Sequence, residues 1–363
     1  MAVTIPLIAA EHAPAQRTLK TYPLSNRLLL AGQISPDETK AAAIAPPPEN
    51  KVQVWDFRAG TVVAEAELPA WSFEAGVPQV SYSFQGDLLV VCVGRVLQVL
   101  RADDLKEVRR IVIPDQTGTV RYKGNYKPSE GHTTVNSVQL SPVADVAAVL
   151  IGHLALGNRL EIYDLTTGAR TQSWSLGYGT AGIQAWHPDG KRVFVVTGDW
   201  SQKDRKILEC DIETGASAAR LVVAMPVSSI AVTRDQRVLV VDGRQKGVFV
   251  ARDPMLQVFD LASGKVVHEI GGRGSGVRKC LSVSRDGRRL VAFTGLEKME
   301  FDWEYFNYVP YALDQTLSVW DLQNYQGIVT SQDLQSLENG FSISPGGHFV
   351  AVSGLRPQVV ELP

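Results

Sequence analysis

A tryptophan–aspartate pair ends two strand-like apolar runs that lie far apart in this chain, Val52–Asp56 and Leu317–Asp321. Weaker copies of the same ending lie between them, and they read Glu161-Ile162-Tyr163-Asp164, Leu208-Glu209-Cys210-Asp211 and Gln257-Val258-Phe259-Asp260. An ending that recurs at this spacing is typical of a repeat architecture, in which one small β unit is used several times. The whole chain is therefore expected to be an array of that unit.

A tight turn follows the first strand of each unit. Such turns favour proline, which presets φ near about −65°, and glycine, which accepts positive φ. The seven turns are Ser35-Pro36-Asp37, Phe84-Gln85-Gly86, Ser141-Pro142, His187-Pro188-Asp189-Gly190, Thr233-Arg234-Asp235, Ser284-Arg285-Asp286-Gly287 and Ser344-Pro345-Gly346-Gly347. An apolar, β-branched run follows each turn, as in Leu88–Cys92, and this pattern predicts a strand that is buried on both faces.

Each unit contains four short strands, and seven such units predict an all-β fold, a seven-bladed β-propeller with four antiparallel strands per blade. The last unit ends after its third strand, near residues 358–361. Residues 17–22 resemble the fourth strand at 170–175, so we expect this N-terminal strand to close the ring in the last blade, where an open edge would leave backbone groups unpaired. Residues 1–363 are thus one domain, with 1–16 as an N-terminal tail.

The Trp-Asp endings resemble those of the WD-repeat propellers from about residue 17 to the end of the chain. The match is good in units one and six and poor in unit two, where Leu100-Arg101 takes the Trp-Asp place, and the Gly-His dipeptide of typical WD repeats is missing. The stretch His187–Val196 is also similar to the turn-plus-strand signature of bacterial YVTN and lactonase-type propellers. The resemblance implies a divergent, bacterial-type WD-like propeller, a class that mostly provides binding platforms.

Composition excludes several classes of function. The formal net charge is −2, so a general electrostatic attraction to nucleic acid or to an anionic membrane is not expected. No apolar run approaches the roughly 20 residues of a membrane helix. Cys92, Cys210 and Cys280 fall in predicted strands of different units, and we expect them to be core side chains, with a disulfide or a thiol–metal pair as the alternative.

The N-terminus leaves the compartment open. Residues 1–10 are apolar but lack the positive charge that begins a secretory signal, so they are either a trimmed signal or a disordered tail. The localisation is accordingly unknown, with cytoplasmic and periplasmic or secreted as the choices.

Catalytic motifs are missing from the sequence. The six histidines show no zinc-binding spacing, no Gly-x-Ser-x-Gly elbow is present, and the glycine-rich stretch 272–276 precedes a strand rather than a helix. Asp199, His153 and Asp253 follow second strands, where a propeller enzyme could gather a metal or lactone site at the channel mouth. The alternative is that they are solvated loop residues. We expect no catalytic residues, no metal and no cofactor.

The long connections are expected on one face of the ring, and long loops on a rigid scaffold are the usual place for binding residues. They span residues 46–50, 70–77, 114–133, 199–206, 243–254 and 296–314. The last of these carries six aromatic residues within eleven positions, mixed with acidic ones. Either it contacts a partner, since Trp and Tyr are favoured at binding hot spots, or it packs as a lid over the channel. The candidate partner-binding residues are Trp303, Tyr305, Phe306, Tyr308, Tyr311, Trp71, Tyr126 and Trp200.

Arg121, Lys123 and Lys127 alternate with tyrosines in the loop 114–133, which suits an acidic protein surface, ordinary solvated charge or, as a further alternative, nucleic acid. The sequence thus predicts a soluble, non-catalytic interaction scaffold that presents its long-loop face to another protein or protein complex, not to nucleic acid and without a membrane span. The alternative is a small-molecule or metal-binding propeller enzyme, or enzyme subunit, of the lactonase-like or amine-dehydrogenase-like kind, with its site at the channel mouth.

Overall fold

The structure, a computed structural model, is built from β-strands. It describes residues 18–71, 78–116, 133–153, 156–177, 184–198, 205–223, 227–235, 237–242, 256–270, 280–302, 307–331, 341–354 and 356–363. Throughout these ranges the regular elements are strands, tight turns and bends, and no helix of the length and hydropathy that a membrane span requires is found among them.

The strands form four-stranded antiparallel sheets, numbered here in chain order. Sheet one contains β2 (Leu30–Ile34), β3 (Lys40–Ala45), β4 (Lys51–Asp56) and β5 (Thr61–Glu67). Sheet two contains β6 (Gln79–Tyr82), β7 (Leu88–Val93), β8 (Val96–Arg101) and β9 (Glu107–Val112). Sheet three contains β10 (Thr133–Leu140), β11 (Val146–His153), β12 (Asn158–Asp164) and β13 (Arg170–Gly177). Sheet four contains β14 (Gln184–Trp186), β15 (Arg192–Thr197), β16 (Arg205–Asp211) and β17 (Ser217–Val223).

The remaining sheets follow the same order. Sheet five contains β18 (Val227–Val232), β19 (Arg237–Asp242), β20 (Leu256–Asp260) and β21 (Val266–Ile270). Sheet six contains β22 (Cys280–Val283), β23 (Arg289–Asp302), β24 (Asn307–Asp321) and β25 (Gly327–Ser331). Sheet seven contains β26 (Phe341–Ile343), β27 (Phe349–Val352), β28 (Gln358–Glu361) and the N-terminal strand β1 (Thr21–Pro23).

The first strands of the sheets follow one another around a closed ring. Each of them contacts the first strand of the sheet before and of the sheet after, and β2 contacts both β6 and β26. The apolar clusters repeat this order, because each pair of successive sheets, including seven and one, encloses a cluster of its own. This arrangement is the all-β propeller that the sequence predicts.

The second strand of each sheet supplies both neighbouring clusters. In β7, Leu89 and Val91 pack between sheets one and two, whereas Val90 and Cys92 pack between sheets two and three. Successive side chains of a strand point to opposite faces. A strand in the middle of a blade is covered on both faces, and this explains its continuous apolar sequence. Cys92 and Cys210 are buried free thiols in different sheets, as expected, while the side chain of Cys280 lies outside the described part of the structure.

Sheet seven is completed from the other end of the chain. Thr21, Tyr22 and Pro23 pair antiparallel with Val360, Val359 and Gln358. The pairing continues on both sides, since the Glu361 amide donates to the Lys20 carbonyl (2.8 Å) and the Leu24 amide donates to the Pro357 carbonyl (3.0 Å). The expected pairing of an N-terminal strand with residues 358–361 is therefore observed. The strand lies at 21–23, however, so that only the last two residues of 17–22 belong to it.

A buried hydroxyl holds most of the first turns together. Ser35 Oγ accepts a hydrogen bond from the Lys40 amide (2.9 Å) and donates one to Asp37 Oδ1 (2.6 Å). The equivalent hydroxyls, which also accept from a backbone amide beyond the turn, are those of Ser83, Thr233, Ser284 and Ser344. These side chains satisfy backbone donors that the turn would otherwise leave buried without a partner.

The aspartate of each Trp-Asp-like pair shapes the second turn. Asp164 Oδ1 accepts from the amides of Thr166 (2.8 Å) and Thr167 (2.7 Å), and Gly168 then adopts φ +75°. Asp56, Asp211 and Asp260 make the equivalent bonds. Their short side chains mimic a backbone turn, so the repeated aspartate is a consequence of the turn rather than of a catalytic site.

Candidate functional sites

Within the segment 296–314, expected from the sequence as a long irregular loop, residues 296–302 and 307–313 form a two-stranded ribbon. Strands β23 and β24 stay paired beyond the sheet, from Leu296 opposite Leu313 to Asp302 opposite Asn307. The expectation of a loop was wrong because the segment was judged by its length, whereas its Phe and Tyr residues favour strands.

The ribbon extends well past the body of sheet six. Strand β22 pairs with β23 only as far as Phe293, and β25 pairs with β24 only from Leu317. From Leu296 outward, among the described strands, the two halves of the ribbon pair only with each other. Seven residues at roughly 3.3 Å each give a projection of about 23 Å. In sheet two the same connection between second and third strands is closed by Gly94 and Arg95 alone.

The predicted partner-binding residues are distributed unevenly. Tyr308 stands opposite Phe301 in the ribbon, and Tyr311 stands opposite Lys298. Trp71 is half-buried and packs against the apolar cluster between sheets one and two. The other predicted residues, Trp303, Tyr305, Phe306, Tyr126 and Trp200, lie outside the described residues.

The first strands of the seven sheets surround a central cavity of about 550 Å³. Each of these strands is an edge of its own sheet, and polar side chains bridge it to the next sheet. The bridging pairs are Gln79 Oε1 with the Val138 amide (2.8 Å), Gln139 Nε2 with the Gln184 carbonyl (2.9 Å), Ser282 Oγ with the Ile343 amide (3.2 Å) and Ser342 Oγ with the Gly32 carbonyl (3.0 Å). Backbone groups that sheet pairing leaves open at the channel are satisfied in this way.

An arginine reaches across one mouth of this channel. Arg285 lies in the first turn of sheet six, and both of its terminal nitrogens donate to the carbonyl of Phe84 in the first turn of sheet two (3.2 Å each). Sheets six and two are separated by sheets seven and one on the shorter side of the ring. The guanidinium therefore crosses the short-turn face, and burial lowers the pKa of Arg285 from its usual value.

Sequence reasoning did not single out Arg285. Its position is taken by proline in four of the seven first turns, Pro36, Pro142, Pro188 and Pro345. The sequence feature that could have revealed this site is an arginine at a turn position that is usually proline and lies at the channel. Arg234 holds the same turn position in sheet five, but its side chain is exposed.

The catalytic alternative was built on Asp199, His153 and Asp253. His153 is buried at the end of β11, where Nδ1 accepts the Leu156 amide (3.0 Å) and Nε2 contacts the Gln116 carbonyl. It thus fixes two connecting segments. Asp199 and Asp253 lie outside the described residues. Within the part of the chain that the structure describes, no three His, Cys, Asp or Glu side chains form a group that could hold a metal ion.

A buried carboxylate network lies in sheet three. Glu161 is fully buried and contacts Arg159 Nε (2.8 Å), Arg170 (2.8 Å) and the hydroxyl of Tyr163 (2.6 Å). Its two arginines and one hydroxyl compensate for the loss of water around the carboxylate. Because its partners come from within sheet three, the network serves to hold the strands of that sheet.

No protein-family model matches the chain. No curated protein is detectably similar to it in sequence.

Proposed function

We propose that this protein is a non-catalytic interaction scaffold, a seven-bladed propeller that binds another protein through the ribbon of sheet six, residues 296–313. The observation that carries the proposal is the extension of β23 and β24 beyond the strands that flank them. Its repeated Trp-Asp endings and first turns support a relation to WD-repeat and YVTN-type propellers.

The ribbon is longer than the closure of a blade demands. Sheet two joins its second and third strands with Gly94 and Arg95, so the additional residues of sheet six serve no purpose in forming the sheet. An isolated two-stranded ribbon is at best marginally stable in water, and its edges carry unpaired backbone groups. A bound partner would cover these edges and stabilise the ribbon.

The composition of the ribbon indicates the kind of partner. In the sequence, residues 296–307 contain four carboxylates against a single lysine, together with Phe301, Trp303, Tyr305 and Phe306. Aromatic residues supply large contact areas with few rotors to freeze, and charge at the rim governs the rate and selectivity of association. The complementary surface is apolar with a basic border.

The proposal is tested by shortening the ribbon. Replacing residues 296–314 with Asn-Gly leaves Thr294 opposite Thr316 and a four-residue hairpin loop, a common length. We expect this variant to keep its circular dichroism spectrum and to lose a partner that the intact protein retains on affinity purification from its native source. The interaction is then measured with the purified partner. Retention of that partner by a folded, shortened variant would contradict the proposal.

A finer test uses point substitutions between the two ribbon strands. The double variant Trp303→Ala, Tyr305→Ala should weaken binding by about 2 kcal/mol or more, close to 30-fold in Kd, if these residues are hot spots. The matched control is Trp71→Ala, since Trp71 packs in the core between sheets one and two: it should lower stability and leave the Kd unchanged. If the double variant instead loses stability with an unchanged Kd, the ribbon is a structural lid.

A further inference from the structure

The central cavity has the size of a small-molecule site. Its volume of about 550 Å³ lies within the roughly 300–1,000 Å³ that is common for such sites. Apolar side chains such as Trp186, Leu281 and Phe341 share its wall with polar residues, among them Gln33 and Ser81. Polar and apolar surface line it in comparable amounts, so the wall offers hydrogen-bonding groups as well as apolar contacts.

One charge faces this cavity. Among the described residues that line it, Arg285 alone is ionised at neutral pH. The other arginines of the turn region are balanced nearby, since Arg192 pairs with Asp189 (2.7 Å) and Arg237 pairs with Asp235 (2.9 Å). No described carboxylate lies within ion-pair distance of Arg285. A half-buried charge without a counter-ion is costly, and an anion in the cavity would offset that cost.

The guanidinium has donors to spare. Its two terminal nitrogens each donate one hydrogen bond to the single Phe84 carbonyl, out of five N–H groups. This contact holds the planar group across the channel mouth. A guanidinium fixed in this way meets a carboxylate or phosphate with two parallel hydrogen bonds, the geometry in which arginine binds oxyanions best.

We propose that the central channel binds a small organic anion whose carboxylate or phosphate group contacts Arg285, while the rest of the molecule lies against the mixed polar and apolar wall. The site is separate from the ribbon and does not depend on the partner-binding proposal. A purely structural role for Arg285, as a link between sheets six and two, predicts lower stability on mutation but no dependence on anions.

The test is a calorimetric titration of the intact chain with citrate, inorganic phosphate and AMP, each in chloride buffer of matched ionic strength. We expect saturable binding with one site per chain for at least one of these probes. Comparing the affinity for citrate with the affinities for phosphate and AMP shows whether the site prefers a carboxylate or a phosphate ligand. No saturable binding up to about 10 mM of any probe, well beyond the millimolar range of weak sites, would overturn the proposal.

Variants assign the site to Arg285. Arg285→Gln should weaken binding by about tenfold or more, because a charge-assisted hydrogen bond is lost. Arg285→Lys keeps the charge and should bind the anion with intermediate affinity. This variant also serves as the test if Arg285→Gln does not fold. Arg234→Gln is the matched control, an exposed arginine at the same turn position of sheet five, and it should bind as the wild type does. Equal affinity of the wild type and both Arg285 variants would refute the assignment.

Discussion

Tyr22 joins the two ends of the chain, and its replacement tests whether the N-terminal strand stabilises the ring. The Tyr22 ring lies 5.5 Å from the ring of Phe57, edge to face, and 6.5 Å from that of Phe349. Its hydroxyl donates to Glu361 Oε2 at 2.6 Å. Because these residues belong to sheets one and seven, the side chain connects three parts of the sequence that are distant from one another.

The expected cost of Tyr22→Ala follows from these contacts. Two aromatic contacts contribute about 0.5–1.5 kcal/mol each, the lower value applying to the longer one. The half-buried ring adds about 1 kcal/mol of apolar burial, and the hydroxyl adds roughly 1 kcal/mol or less. The free energy of unfolding should therefore fall by about 3 kcal/mol in Tyr22→Ala and by about 1 kcal/mol in Tyr22→Phe.

The measurement is urea unfolding followed by circular dichroism, with limited proteolysis of the N-terminal segment as a second readout. Lys20→Ala is the control, since exposed Lys20 makes only polar contacts here: its ammonium lies 3.1 Å from Glu361 and 4.8 Å from the centre of the Tyr22 ring. We expect it to lower the free energy of unfolding by about 1 kcal/mol or less, as exposed ion pairs and exposed cation–π contacts contribute little. If Tyr22→Ala has the same midpoint and the same N-terminal protection as Lys20→Ala, the strand does not stabilise the ring and the reasoning is refuted.

Two further predictions concern buried ionisable groups. Glu161→Gln should lower the free energy of unfolding by about 2 kcal/mol in urea titrations. This loss is smaller than the roughly 3–5 kcal/mol expected for breaking a wholly buried ion pair, because Arg170 is half exposed. A loss below about 0.5 kcal/mol would contradict the prediction. Burial lowers the pKa of His187 below its usual 6.5, despite the hydrogen bond with Asp189. The stabilising contribution of neutral His187 should therefore be complete above about pH 6.5 and decrease as the pH falls through the lower folded pKa. The variant His187→Gln should flatten this part of the stability–pH curve. An unchanged slope in that variant would contradict the prediction.

The repeat could be recognised in the sequence because its turns are held by hydrogen bonds between residues that are close in sequence. The hydroxyl of Ser35 and the carboxylate of Asp164 bond to amides only a few residues away, so the turns that they form are encoded in short stretches. Two second turns depart from the pattern of glycine at this position. Leu105 occupies, with φ +55°, the second-turn position that is glycine in several sheets, because its buried side chain packs between sheets one and two. Tyr325 occupies the same turn position in sheet six with φ +58°, and its ring stacks on His268 of the neighbouring sheet.

The candidate sites were less accessible to sequence reasoning. The aromatic segment around Tyr308 was recognised, but its ribbon form was not, since pairing depends on the register of two strands rather than on the residues of either. The contact of Trp71 with the apolar cluster between sheets one and two was not foreseen, because nothing in its immediate sequence reveals which neighbouring sheet will cover it.

By itself the sequence determined the repeated unit, the positions of its turns, the two-sided burial of its second strands and the need for an N-terminal strand in the last sheet. All of these follow from periodicity and from bonds between near neighbours. Only the tertiary structure decided that the strand lies at 21–23, that the ribbon projects from sheet six, and that Arg285 meets Phe84 across the channel. Residues some 200 positions apart come together there, and the physical reason is that ring closure, not local preference, sets the distance between them.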